Sequence, residues 1–289
     1  MKFGSVENPD LVDFNLPADD PKNKRILSTN KDGLSKIYVG CAKWNRQDLK
    51  GFYPRGTKDE LAYYATQFNS IELNATFYRV FPNEQSVKWS QKTPEDFKFF
   101  PKVPQSISHF QRLSNCETLV AEYCDSIAGF GNKLGMPFLQ MPDNFAPKNW
   151  DTFEQFILSW PTGIPLAVEL RHTDWYNNKE NSSKLYELLE ANKIANIITD
   201  TAGRRDLLHM RLTSPFAFVR YVGANHPSDY KRLNDWVNRV KQWKAQGLKE
   251  LYFFVHQNLE EESPLLSAHF IEQLNKELGS SVRGPNMIA

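Results

Sequence analysis

Glu169 and Arg171 stand two residues apart in the stretch LAVELRHTDWY (166–176), and His172, Asp174 and Trp175 follow at once. The stretch begins as a buried strand would and ends in ionisable groups. A carboxylate held in a low-dielectric cleft can carry a proton near neutral pH. A guanidinium grips a carboxylate or phosphate through two parallel hydrogen bonds, and an imidazole suits either task. The same residue types recur near the ends of other apolar runs, as Glu72, Lys102, Asp200, Arg220 and His256. The pattern assigns Glu72, Lys102, Glu169 and Asp200 to acid–base catalysis. It assigns Tyr78, Arg79, His109, Arg171, His172, Trp175, Arg204, Arg220 and His256 to substrate binding. The formal charges of Glu72, Glu169, Asp200, Lys102, Arg171 and Arg220 cancel. A buried ion-pair network that serves stability alone is therefore the competing account.

Residues so far apart in sequence meet only if the elements that carry them converge. Eight short runs rich in β-branched and aromatic residues predict strands at 37–41, 70–77, 97–103, 135–141, 165–171, 194–200, 216–222 and 251–257. Helical patterns lie between them. Leu61, Tyr64, Ala65 and Phe68 share one face behind a capping box at Thr57–Glu60, and Leu233, Trp236, Val237, Val240 and Trp243 share another. The last helix is expected to start at Ser263-Pro264 and stop at Gly279. Only 201–215 is weakly helical. Repeated βα units imply parallel strands with right-handed crossovers, and eight of them in this length predict an α/β fold that is a single (β/α)8 TIM barrel. The expected divisions are an irregular N-terminal extension (1–35), the barrel (36–278) and a C-terminal tail (279–289).

Strand alternation then places the charges. Val168 and Leu170 share one face, and Glu169 and Arg171 share the other. Ile71 and Leu73 alternate with Glu72 and Asn74, Phe218 goes with Arg220, and Phe254 goes with His256. With the apolar pairs against the helices, the polar groups gather at the carboxyl ends of the strands, where such barrels build their sites. Loops add to the same end. Ala75–Arg79 brings Tyr78 and Arg79. Gly203-Arg204-Arg205 is suited to present amides and guanidinium groups to an anion, or to form a solvated turn. Trp44, Tyr53 and Trp175 lie beyond strand ends, as cleft walls or as core.

IYVGCAKW, FNSIELNATFYR, FKFFPKVPQSISH, VELRHTDWY and FVRYVG occur in an order that resembles the YecE-like family, also called domain of unknown function 72, over about residues 36–275. The resemblance implies a TIM barrel and brings no established reaction with it. Positions that match are Glu72, Tyr78, Arg79, Lys102, His109, Glu169, Arg171, His172, Trp175 and Arg220. Similar members usually carry His-Gly after the strand-seven arginine and Phe-Asn-Asn at the end of strand eight. Here the chain reads Tyr221-Val222-Gly223 and His256-Gln257-Asn258.

Bulk properties narrow the class. The chain has 289 residues, 40% of them hydrophobic, and a formal net charge of +1, so nothing in its overall charge calls for nucleic acid. The basic residues of 229–246 flank a Leu and Trp face and read as a solvated surface. No apolar run is long enough to span a membrane. Three cysteines without paired spacing, and an N-terminus without signal-peptide character, point to the cytoplasm. The expected function is an enzyme or binder for a small anionic, phosphorylated molecule; the reaction, whether hydrolase or lyase/isomerase, stays open. A divalent-metal hydrolase or isomerase built on Glu72, Glu169, His172, Asp200 and His256 is the first alternative, although no tight metal motif occurs. Glycoside hydrolysis by Glu72 and Glu169 is another, and a non-catalytic interaction protein is a third. No cofactor and no oligomeric state is assigned.

Overall fold

Each of the eight apolar runs forms β-structure in the computed structural model, which describes residues 4–286. The strands are β1 (Lys36–Cys41), β2 (Ser70–Leu73), β3 (Lys98–Pro101), β4 (Phe138–Gln140), β5 (Ala167–Glu169), β6 (Ala195–Asn196), β7 (Ile198–Thr201), β8 (Phe216–Gly223) and β9 (Glu250–Gln257). Between and around them lie α1 (Asn23–Leu27), α2 (Glu60–Gln67), α3 (Ala75–Tyr78), α4 (Asn83–Gln91), α5 (Glu117–Ala128), α6 (Trp150–Ser159), α7 (Asp174–Asn177), α8 (Lys179–Ala191), α9 (Ser228–Gln246) and α10 (Ser263–Leu278). The weakly helical stretch after β7 holds only a 3-10 turn, Ala202–Leu207.

Pairing is parallel throughout and falls into three sheets, ordered β1-β9-β8-β7, β2-β3 and β4-β5-β6. The expected single closed ladder needs correction: among the described residues the hydrogen-bonded strands do not join into one sheet. The physical reason is visible at each break. Between β1 and β2, the Asn69 side chain takes the place of a backbone rung. Its Oδ1 accepts from Val39 N at 3.0 Å and its Nδ2 donates to Ile37 O at 2.7 Å. Between β3 and β4 only isolated bridges form, Phe99 with Leu134 and Lys102 with Phe138. The sixth run divides at Ile197, so that β6 pairs with β5 while β7 pairs with β8.

Two apolar layers follow from strand alternation. Val39, Ile71, Phe99, Val168, Val219 and Phe253 face the helices in the larger cluster. The opposite faces bring Tyr38, Phe100, Phe138, Ala167, Ile197, Phe218 and Phe254 into a second, smaller one. Strands of all three sheets meet there: Phe100 lies 5.9 Å from Tyr38 and 4.9 Å from Phe254, and Phe138 lies 5.6 Å from Phe218, between ring centroids.

The first 35 residues are less irregular than expected where they are described. They contain α1 and are fastened to the rest of the chain. Asn23 accepts from Leu212 N and donates to Met210 O, both at 2.8 Å, and Asp19 accepts from Trp243 Nε1 at 2.9 Å. In the tail, Arg283 reaches Asp96 at 3.1 Å, and residues 287–289 lie outside the described part. The capping box also needs correction. Asp59 caps α2 by accepting from Ala62 N, while Thr57 Oγ1 donates to Pro54 O and Glu60 accepts from Arg46 N. Gly279 ends α10 in the left-handed conformation, as expected. No described helix is long and apolar enough to cross a membrane.

Candidate functional site

The smaller aromatic layer positions the polar groups. Two residues beyond Phe100, Phe138, Ala167, Phe218 and Phe254 stand Lys102, Gln140, Glu169, Arg220 and His256, each stacked one layer nearer the carboxyl ends of the strands. Glu72 joins them from β2. All six are buried. Arg220 is the hub: its Nε donates to Glu72 Oε2 at 2.8 Å, its Nη2 to Glu72 Oε1 at 2.9 Å, and its Nη1 to Glu169 Oε2 at 2.6 Å. Arg171 holds the other side of Glu169, with Nε to Oε1 at 2.6 Å. His256 Nε2 lies 3.0 Å from Glu72 Oε2, and Asn74 donates to Glu72 Oε1 at 2.9 Å. Gln140 links the pairs to the lysine, donating to Glu169 at 2.9 Å and accepting from Lys102 Nζ at 2.7 Å.

These contacts reverse the protonation expected of the carboxyls. Burial alone would raise the Glu72 carboxyl, yet Arg220 and then His256 hold it well below the usual carboxylate range. At Glu169 burial again pushes the carboxyl up, and Arg171 and then Arg220 overcome it and hold the group well below the usual carboxylate range. Both acids are therefore fixed as carboxylates, and neither is poised to give or take a proton near neutrality. The group poised there is Lys102. Burial first, then the charges of Arg220 and Arg171, bring its ammonium down to about 7. His256 moves the other way: burial disfavours its charge, but Glu72 raises it above the usual value.

Asp200 is the main correction among the expected catalytic residues. Ile197 belongs to the inner aromatic layer and Ile198 to the outer, so Asp200, two residues after Ile198, faces the helices. It accepts from Arg232 at 2.8 Å and from Trp236 Nε1 at 2.7 Å and is paired with Arg205. The residue that the seventh strand contributes to the charged layer is Thr199, next to Arg220 in register. Its hydroxyl is buried and has no hydrogen-bond partner among the described residues. Strand phase measured from Ile197 would have found it.

Trp175 is core rather than cleft wall. It is fully buried, stacks on Phe145 at 6.2 Å, and donates to Phe145 O at 2.7 Å. Arg204 is engaged by Asp206 and by the carbonyl of Arg171. Gly203 N donates to Gly4 O at 2.7 Å and Arg205 pairs with Asp200, so this turn, which the sequence left open to anion binding or to solvation, is used for packing. Arg79 is exposed and stacks on Phe81 at 4.3 Å. Arg79→Ala is accordingly expected to change unfolding free energy by no more than about 0.5 kcal/mol, read from a denaturant curve, and to leave ligand binding intact. His172 stays local, its Nδ1 accepting from Asp174 N at 3.2 Å. His109 rests edge-on against Phe77, the ring under Lys102, and accepts or donates at Ser108 Oγ, 2.9 Å away. Burial and then Lys102 lower it to about 4. Tyr78 is exposed and, with Trp44, Asn45 and Asn74, lines a cleft of about 250 Å³ that reaches Glu72. A smaller recess of about 20 Å³ touches Arg171, Arg220 and His256. Among the described residues, no group of three His, Cys, Asp or Glu side chains is arranged to hold a metal ion.

Parallel strands backed by helices, with a buried ionic layer at their carboxyl ends, define an α/β protein of unassigned chemistry. The chain belongs to the family described as protein of unknown function DUF72, whose profile matches residues 38–287, so the resemblance read from its sequence is borne out. It is similar to the UPF0759 protein YecE of Escherichia coli (strain K12), at 26% identity over 264 residues, covering 84% of this chain and 94% of that one. The UPF0759 protein YunF of Bacillus subtilis (strain 168) is 29% identical over 150 residues, 49% of this chain and 52% of its own. A DUF72 family crystal structure from Thermotoga maritima matches with a TM-score of 0.64 at 25% identity, over 85% of this chain and all (100%) of that one. One from Enterococcus faecalis matches with a TM-score of 0.67 at 20% identity, over 85% and 98%.

Proposed function

We propose that the chain is an enzyme or binder for a small anionic molecule, phosphorylated or carboxylated, received at the carboxyl ends of the strands, with Lys102 as its proton-transfer group. The same proposal takes the three sheets as arcs of one barrel domain (36–278), interrupted where side chains replace backbone rungs, in a protein of the cytoplasm. One observation carries the reading. Among the three cations of the layer, Arg171 and Arg220 are matched by Glu169 and Glu72, whereas Lys102 has no carboxylate within ion-pair distance among the described residues. An anion supplies the missing charge and draws the proton onto the amine. The unpartnered Thr199 hydroxyl in the same layer gives that anion a donor.

Titration calorimetry with phosphate, sulfate and sugar phosphates is the test. Binding should appear in the wild type and fall at least about tenfold in Lys102→Met, the loss expected when a charged hydrogen bond of ~1.5–3 kcal/mol is removed. Failure of all these anions to bind would remove the reading. A divalent-metal site finds less support, because the carboxylates it would use are already held by arginines.

The same variant carries a stability prediction. The folded state lowers Lys102 to about 7 from an unfolded value of 10.5, so the native chain gains stability as pH rises through that window. Below it, the buried charge costs free energy that methionine does not incur. Lys102→Met should therefore be more stable than wild type at pH 6, by ~1–3 kcal/mol, with the gap closing toward pH 10. Urea denaturation at both pH values reads this, and an equal or less stable variant at pH 6 would refute it.

A further inference from the structure

Among the described residues two lysines are buried, and their surroundings differ. Lys133 is held as a structural lysine is: Nζ donates to Ser90 O at 2.8 Å and Thr93 O at 2.7 Å, with Glu95 at 3.9 Å. Lys102 has one neutral acceptor, Gln140 Oε1, and the face of Phe77 at 4.0 Å. An ammonium needs three acceptors, and a neutral amine needs fewer and keeps a lone pair. The Lys102 environment thus suits the amine form, which is the nucleophilic one. Gln140 bridges Lys102 to Glu169, the carboxylate that Arg171 and Arg220 both hold, so an electrophile bearing a negative group beside its reacting carbon is the one this layer favours.

We infer that Lys102 is a covalent nucleophile that forms an imine with a small 2-oxo acid, the carboxylate lying toward Arg171 and Arg220. This rests on the anion-handling reading and names its substrate class. The amine lone pair attacks the ketone or aldehyde carbon, and the carbonyl π bond breaks onto oxygen. The two amine protons end on that oxygen, which leaves as water, and a carbon–nitrogen double bond remains. No oxidant, reductant or metal is consumed. The Phe77 face and Phe100, two residues back on the strand, make the apolar wall that favours loss of water.

Reductive trapping tests this. The whole chain is incubated at neutral pH with pyruvate or glyoxylate, reduced with sodium borohydride, and digested for peptide mass mapping. Lys102 should carry the reduced adduct at least about tenfold more than the exposed Lys231, as expected of an activated amine. Acetone, which lacks the carboxylate, should give much less, and excess phosphate should suppress trapping. The adduct should vanish in Lys102→Arg, whose thermal unfolding must match wild type; mapping on the wild type decides the matter if it does not. Labelling of Lys102 no greater than that of Lys231 overturns the inference. If calorimetry detects pyruvate or phosphate while no adduct forms, imine chemistry falls and the anion reading stands. If the adduct forms without competition by phosphate, the imine stands and the phosphorylated class falls.

Discussion

Arg220→Met is expected to destabilise the protein by about 3–5 kcal/mol, the range for breaking a buried ion pair by removing one partner. Arg220 gives three hydrogen bonds to two carboxylates, and all three side chains are buried. Methionine leaves Glu72 with His256 and Asn74, and Glu169 with Arg171 and Gln140, so compensation is partial. The pH dependence should change too. In the wild type both carboxyls titrate below their unfolded range, so their contribution is present above about pH 4.5 and is lost as pH falls through the folded values. In the variant both carboxyls rise, and less stability is lost on acidification. Chemical denaturation at pH 7, and then at a series of pH values below 4.5, measures both effects. Adding Glu72→Gln and Glu169→Gln to the methionine variant should recover part of the loss, because buried charges are then removed together. A variant within about 1 kcal/mol of wild type at pH 7 would show that the cluster contributes little to folding.

The chemistry of this layer was legible to the extent that strand alternation could be phased. Glu169 could be placed because the apolar Val168 and Leu170 bracket it, and Arg220 because it shares a face with Phe218. The same rule failed at Asp200. The run IANIITD has apolar residues at consecutive positions, Ile197 and Ile198, and both faces of that strand are buried. Hydrophobicity then carries no phase, and a one-residue slip exchanges the two faces. Trp175 and Arg204 were misread for a related reason: residues just past a strand end are equally near the mouth and the helix layer. The eight runs themselves were visible. The breaks between sheets were not, because they depend on side chains such as Asn69 substituting for backbone donors, which no periodicity encodes. Nor could spacing show that two arginines would depress both carboxyls and leave Lys102 as the group near neutrality. That outcome depends on distances of a few ångströms in a buried site.

Asp200→Ala is expected to cost about 3–5 kcal/mol as well, and to leave anion binding unchanged. Its carboxylate is fully buried against Arg232, Arg205 and Trp236, and Arg232 is itself buried. Asp229 remains as a partner for Arg232 at 2.9 Å, so one of its two ion pairs survives. The network reaches further than β7 and α9. The Arg232 guanidinium lies 4.4 Å from the Phe14 ring, and Arg205 donates to Asn15 O at 2.9 Å. Removing Asp200 frees both arginines to reorient and so loosens the N-terminal segment from the body of the chain. Limited proteolysis should then cut between residues 4 and 22 faster in Asp200→Ala than in wild type, before global unfolding. Asp200→Asn keeps an acceptor for Trp236 and should fall between the two. If either variant lost anion binding while unfolding at the wild-type temperature, Asp200 would belong to the site after all. If binding held while the N-terminal segment became labile, two buried ionic clusters would have separate tasks: the inner one carries the chemistry of Lys102, and the outer one ties the first residues to the fold.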